Sequence, residues 1–226
     1  MKQASIELGD YLDSLVDCTE KLFHGGGHSA VTLDAVAQAA GVPLEALSEL
    51  YPTHLDILVA MLNREFSAMY QGIITDVERD PLGGLLSRIY LYTLPQVYQR
   101  PTARALYVTD PDTMRIITSH QHAQVYRPTT EIREELIVKL LAAGMVKPGS
   151  NPTTISSVLS VIFGGLALTA PHNNLSEVVG EMLTMFGQRY DAEVSDTGVG
   201  KAAFCRWATL LDVRLRDNRY GTSLRA

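Results

Sequence analysis

The chain has 226 residues, of which 46% are apolar and 19% charged, and a formal net charge of −6. That length can bury a substantial core in one large domain or two modest ones, and the composition is that of an ordinary soluble globular protein. No basic, short-apolar leader opens the chain, and Cys18 and Cys205 lie far apart in sequence, so reduced thiols and a cytoplasmic location are expected.

The first predicted helix covers residues 6–24, with Leu8, Leu12, Leu15, Val16, Thr19, Leu22 and Phe23 on its inner side. Its acids cluster on the outer face, and Gly25, Gly26 and Gly27 end it in a turn. Thr32 then reads as an N-cap, with Asp34 suiting the first turn of the next helix. Val36, Ala37 and Ala40 share an apolar face, Gly41 breaks the helix and Pro43 opens another. Leu47, Leu50 and Tyr51 give that helix a buried side, and Pro52 ends it. Two short helices about a glycine turn form a helix-turn-helix pattern.

Thr32, Val36, Ala37, Ala40, Gly41, Val42, Leu47, Tyr51, Pro52, Thr53, Leu55 and Leu58 fall in one register. They follow a helix ending Leu22-Phe23-His24-Gly25-Gly26-Gly27. In this the chain resembles the DNA-binding segment of the tetracycline-repressor (TetR) family. The resemblance implies an all-α fold, with residues 1–52 as a helix-turn-helix domain and 53–80 as a connecting helix. Residues 81–190 would then form a ligand-binding and dimerisation domain, and 191–226 a linker with a C-terminal helix and basic tail. The positions it places at DNA are Thr32, Pro43, Leu44, Ser48, Glu49 and His54.

The scaffold matches while the DNA-facing residues depart. Pro43-Leu44-Glu45 stands where the family usually has Ser/Thr-Lys-Gly, Ser48 replaces a phosphate-binding Tyr, and His54 replaces the corner Lys. Residues 1–63 carry Glu7, Asp10, Asp13, Asp17, Glu20, Asp34, Glu45, Glu49 and Asp56 against Lys2 and Lys21, a net −7, while the remainder sums to +1. A DNA-binding domain ordinarily carries the reverse imbalance, because counterion release from phosphates supplies much of its affinity.

A longer helix is predicted from Thr53 to about residue 77, with Leu55, Leu58, Val59, Leu62, Phe66, Met69, Tyr70 and Ile73 inward. Asp80, Pro81, Gly83 and Gly84 mark a boundary. The rest reads as helices: residues 82–97, ended by Pro95 and Gln96; 102–108; a segment from Pro111 through His122; and 130–143, with Ile132, Leu136, Leu140 and Leu141 inward and Gly144 as cap. Residues 148–176 contain no charged side chain. Their apolar run, 155–170, is shorter than the roughly 20 residues a bilayer needs and is broken by serines and glycines, so a buried helix is expected and no membrane span. By the resemblance, helices at 155–170 and 175–190 form a four-helix homodimer interface, with Leu159, Phe163, Val178, Met182, Met185 and Phe186 as contact residues and Gly164-Gly165 permitting close approach. A last amphipathic helix, 201–217, carries Phe204, Trp207, Leu211 and Leu215 inward, and residues 201–226 have a net charge of +4.

Tyr90, Tyr107, Arg115, His120, His122, Tyr126 and Phe163 lie where the family holds an effector, implying a mid-sized, partly polar organic ligand. Cys18, His24 and His28 fall short of the four ligands of a structural zinc site, so no metal or other cofactor is expected. No phosphate loop, nucleophile elbow, zincin helix or dinucleotide fingerprint appears, and no enzymatic activity is expected. Two functions stay open: a dimeric, ligand-responsive DNA-binding regulator, or a protein of this type that has lost conventional DNA binding and serves as a ligand sensor, carrier or dimerisation partner.

Overall fold

The computed structural model describes residues 2–106, 111–119, 129–169 and 174–217. Among them the chain is all-α, with one isolated antiparallel bridge between Val146 and Asp191. The helices are α1 (Lys2–Gly26), α2 (Leu33–Ala40), α3 (Leu44–Leu50), α4 (His54–Arg79), α5 (Leu86–Gln99) and α6 (Pro101–Arg104). They continue with α7 (Pro111–Thr118), α8 (Thr129–Ala142), α9 (Pro152–Thr169), α10 (Leu175–Tyr190) and α11 (Gly198–Asp217). They group into two compact units, here called head and body. The head holds residues 2–67, 111–119 and 213–217; the body holds the other described residues.

The head is built on α1, whose Leu12, Leu15, Val16 and Phe23 are all buried, as their helical spacing predicts. Thr19 shares that face and is satisfied by donating to the Leu15 carbonyl at 2.9 Å. Gly27, at φ +70°, closes the helix with its N–H on the Phe23 carbonyl. A 3-10 turn, His28–Ala30, then leads into α2. Thr53 and Asp56 start α4 with a reciprocal capping box: Thr53 N–H and Oγ1 donate to Asp56 Oδ2 at 2.8 and 2.7 Å, and Asp56 N–H donates to Thr53 Oγ1 at 3.3 Å.

The body core joins Ile73 and Val77 of α4 with Leu86, Ile89, Tyr90 and Leu94 of α5, Leu136, Ile137 and Leu140 of α8, and Ile155 and Leu159 of α9. Val179, Leu183 and Phe186 of α10 and Phe204, Trp207, Ala208 and Leu211 of α11 complete it. Helix α5 departs from the sequence expectation at both ends. It begins at Leu86, because residues 80–85 form turns in which Asp80 Oδ1 accepts from Leu82 N–H at 2.9 Å. It also runs through Pro95 to Gln99. Proline removes one backbone hydrogen bond and crowds the preceding turn, but the buried Leu94 and Val97 on either side hold the helix together. Gly83 and Gly84 allow backbone contacts that no side chain would: a Cβ on Gly84 would lie 2.2 Å from the Thr197 carbonyl oxygen.

Candidate functional site in head and body

In the head, the Thr32 hydroxyl accepts from Ala35 N–H at 3.1 Å and caps α2. Gly41 ends α2 at φ +68°, a left-handed conformation that glycine adopts without cost. Val36 and Ala37 of α2, Leu47 of α3 and Tyr51 after it are buried, so the apolar sides of both helices enter the head core. Their outer sides carry what the chain would offer to DNA. Thr32, Pro43, Leu44, Glu49 and His54 are exposed and Ser48 is half-buried. Ser48 Oγ donates to the Leu44 carbonyl at 2.9 Å, leaving its lone pairs rather than its proton for a partner.

The electrostatics of this face follow from composition. No lysine or arginine occurs between Lys21 and Arg64. Arg64 itself donates to Asp17 Oδ1 at 2.5 Å, to Glu20 Oε2 at 2.7 Å and to the Asp13 carbonyl at 3.3 Å. Of the histidines considered for metal, His24 Nε2 lies 3.7 Å from Glu20 Oε1, and His28 Nδ1 is hydrogen-bonded to the buried Thr113 of α7 at 2.7 Å. Arg115 is exposed on α7, in the head unit.

In the body, Tyr90 and Phe163 meet edge to face, with ring centroids 5.9 Å apart. The Arg133 guanidinium lies 5.3 Å from the Phe163 ring and donates to Ser160 Oγ at 2.6 Å. Tyr70 and Trp207 make a second edge-to-face pair at 6.1 Å. Burial raises the Tyr70 phenol to about 12 and pushes Tyr90 up as well, with Arg133 opposing that rise. Both are therefore un-ionised at neutral pH. Tyr107, His120, His122 and Tyr126, expected at the pocket, lie outside the described residues. Tyr70, Arg133 and Trp207 were not singled out by sequence for a ligand. Their helical periodicity marks Tyr70 and Trp207 as inward, but nothing local shows that residues 137 positions apart meet.

The residues expected at a dimer interface divide by burial. Leu159 and Phe186 are enclosed in the body core. Phe163, Val178 and Met182 are half-buried against that core. Met185 is 61% exposed, and Val161, which sequence reading passed over, is 75% exposed. On α9 the outward positions Ser157, Val161, Gly164 and Gly165 form an uncharged stripe, and a Cβ added at either glycine would meet nothing within 4 Å.

No family model and no curated protein matches the chain. Among solved structures it is similar to SmeT, the repressor of the Stenotrophomonas maltophilia multidrug efflux pump SmeDEF, at 16% identity and a TM-score of 0.57, over 81% of this chain and 92% of that one. It is also similar to the flavonoid-responsive regulator FrrA, at 19% identity and a TM-score of 0.49, over 82% of this chain and 100% of that one. The ketosteroid transcriptional regulator KstR2 of Mycobacterium tuberculosis aligns at 14% identity and a TM-score of 0.42, over 80% of this chain and 95% of that one. The likeness to SmeT shows the fold, which is all-α and TetR-like. Among the described residues no helix is long and apolar enough to cross a membrane.

Proposed function

We propose that the protein is a ligand-responsive transcriptional regulator of the TetR type that acts as a homodimer. The observation that carries this reading is the helix-turn-helix built by α2, Gly41 and α3, with both apolar sides buried and the α3 side open. The repressor fold shared with SmeT supports it. The uncharged outer stripe of α9 and exposed Met185 of α10 support pairing of two copies through these helices. The aromatic cluster of the body supports an organic effector, whose binding would shift the equilibrium between head arrangements. At the operator, Glu49 can accept from cytosine N4, and Ser48 can accept through its free lone pairs.

One observation favours a second reading, in which conventional DNA binding is lost and the protein works as a sensor or dimerisation partner. The outer faces of α2 and α3 carry Asp34, Glu45 and Glu49 and no cation. Binding of the purified protein to its own upstream DNA separates the two. A saturable complex near 50 mM salt, where phosphate contacts are strongest, supports the regulator, and no complex there supports the second reading.

A further inference from the structure

Among the described residues, the body holds one buried side-chain donor with no partner. Trp207 is only 7% exposed, and its Nε1–H has no hydrogen-bond partner among the described residues. An indole N–H is donor only, and burying it unpaired costs free energy that a core free to evolve would avoid. The ring stands edge to face against Tyr70, at an interplanar angle of 88°. Burial raises the pKa of the Tyr70 and Tyr90 phenols, and no hydrogen bond contributes to either rise. Beyond Tyr90 and Phe163 lies Arg133, held by Ser160 Oγ and the Ser156 carbonyl and paired with no carboxylate among the described residues. Five helices, α4, α5, α8, α9 and α11, thus bring together three aromatic donors, a phenyl face and a guanidinium, with no negative charge among the five side chains.

We infer that this cluster binds an apolar, ring-bearing anion of the carboxylate or sulfonate class, its acceptor oxygens taken by Trp207 Nε1–H and the Tyr70 and Tyr90 hydroxyls and its charge met by Arg133. The inference rests on the effector reading above and gives that effector a chemistry. An anion supplies the acceptor that Trp207 lacks, and the aromatic rings pack against its apolar part. A lipophilic cation finds rings but no carboxylate among these five side chains, and it faces the like charge of Arg133. Helix α11 closes the site by contributing Trp207.

Trp207 is the chain's single tryptophan, so its emission reports the site directly. The full-length protein is titrated with anilinonaphthalene sulfonate, following energy transfer from Trp207 to the bound dye. The dye is then competed with naphthalene sulfonate or with a naphthyl trimethylammonium cation. Saturable transfer reversed by the anion and not by the cation is expected. Trp207→Phe and Arg133→Met are each expected to weaken directly excited dye binding roughly tenfold, the loss of one hydrogen bond to a charged group. Displacement by the cation as well as by the anion, or affinity unchanged in both folded variants, overturns the anion inference while leaving an effector cavity in place. Absence of any saturable dye binding overturns both. Should the variants not fold, competition in the unaltered protein decides alone.

Discussion

Arg64 Nη2 donates to Glu20 Oε2 at 2.7 Å, tying the first arginine of the chain to the acidic face of α1. The second amino group reaches Asp17, so one cation is shared between two carboxylates and withdrawn from any phosphate. Arg64→Met removes that cation from both acids. We expect a loss of about 1 kcal/mol in urea unfolding at low salt, modest because Asp17 is largely exposed, and a smaller loss at high salt as the pair is screened. An equal loss at both salt concentrations would show that packing of the arginine stem, not charge, is what matters.

In the body, Asp80 gathers the turn before α5. Burial alone would raise its pKa, but bonds from Arg88 Nε at 2.6 Å, Leu82 N–H at 2.9 Å and the Tyr92 hydroxyl at 2.8 Å, with the Arg88 charge, hold it below the usual value. A depressed folded pKa means that the unfolded chain takes the proton first on acidification. The stabilisation is therefore present above the ordinary carboxylate pKa and lost as pH falls through it toward the lower folded value. Asp80→Asn is expected to cost about 1–3 kcal/mol at pH 7, with the gap to the unaltered protein narrowing toward pH 3 in thermal melts. A gap independent of pH would refute the assignment.

Asp191 runs the other way. Burial raises its pKa and outweighs the bonds from Ser87 and the charge of Lys147. The folded state then binds the proton more readily, so this group's contribution falls as pH rises from the ordinary carboxylate pKa through the raised one. Asp191→Asn should flatten that part of the pH–stability curve, and a curve of unchanged slope there would count against the shift.

Two glycines serve different ends. Gly41 has open space around it and only its φ of +68° matters, so Gly41→Ala is expected to cost about 1 kcal/mol. Gly84 has a backbone oxygen 2.2 Å from where a Cβ would sit, so Gly84→Ala forces backbone apart and is expected to cost about 3 kcal/mol. Denaturant midpoints of the two variants check the order, and equal costs would contradict it.

If two copies meet through α9 and α10, Val161 is enclosed in the dimer although 75% exposed in one chain. Val161→Asp would then bury an unpaired carboxylate at the interface. Sedimentation should show a shift from dimer to monomer, with helical content retained. A dimer that survives the substitution places the contact elsewhere.

What sequence made legible was local. Thr32 and Gly41 announce helix ends through chemistry confined to a few residues, and the structure has those ends. Periodicity placed Leu12, Leu15, Leu47 and Leu62 inside, because a helical stripe needs only its own spacing. The continuation of α5 through Pro95 was not legible, since local cost predicts a stop and only tertiary packing overrides it. Nor was the meeting of Tyr70 with Trp207, or the enclosure of Leu159 while Val161 faces out. Which side of a uniformly apolar helix is covered depends on partners distant in sequence.

The proposed regulator reads DNA with a helix-turn-helix of acidic face, a claim that a salt titration of operator binding checks. Residues 1–63 supply two lysines per subunit and Arg64 is engaged by α1, so the helix-turn-helix segments of a dimer have about four cations to offer phosphates. The predicted result is a saturable complex with the protein's own upstream DNA near 50 mM salt, whose log affinity falls against log salt with a slope no steeper than about −4. Absence of a complex at that salt would contradict the claim.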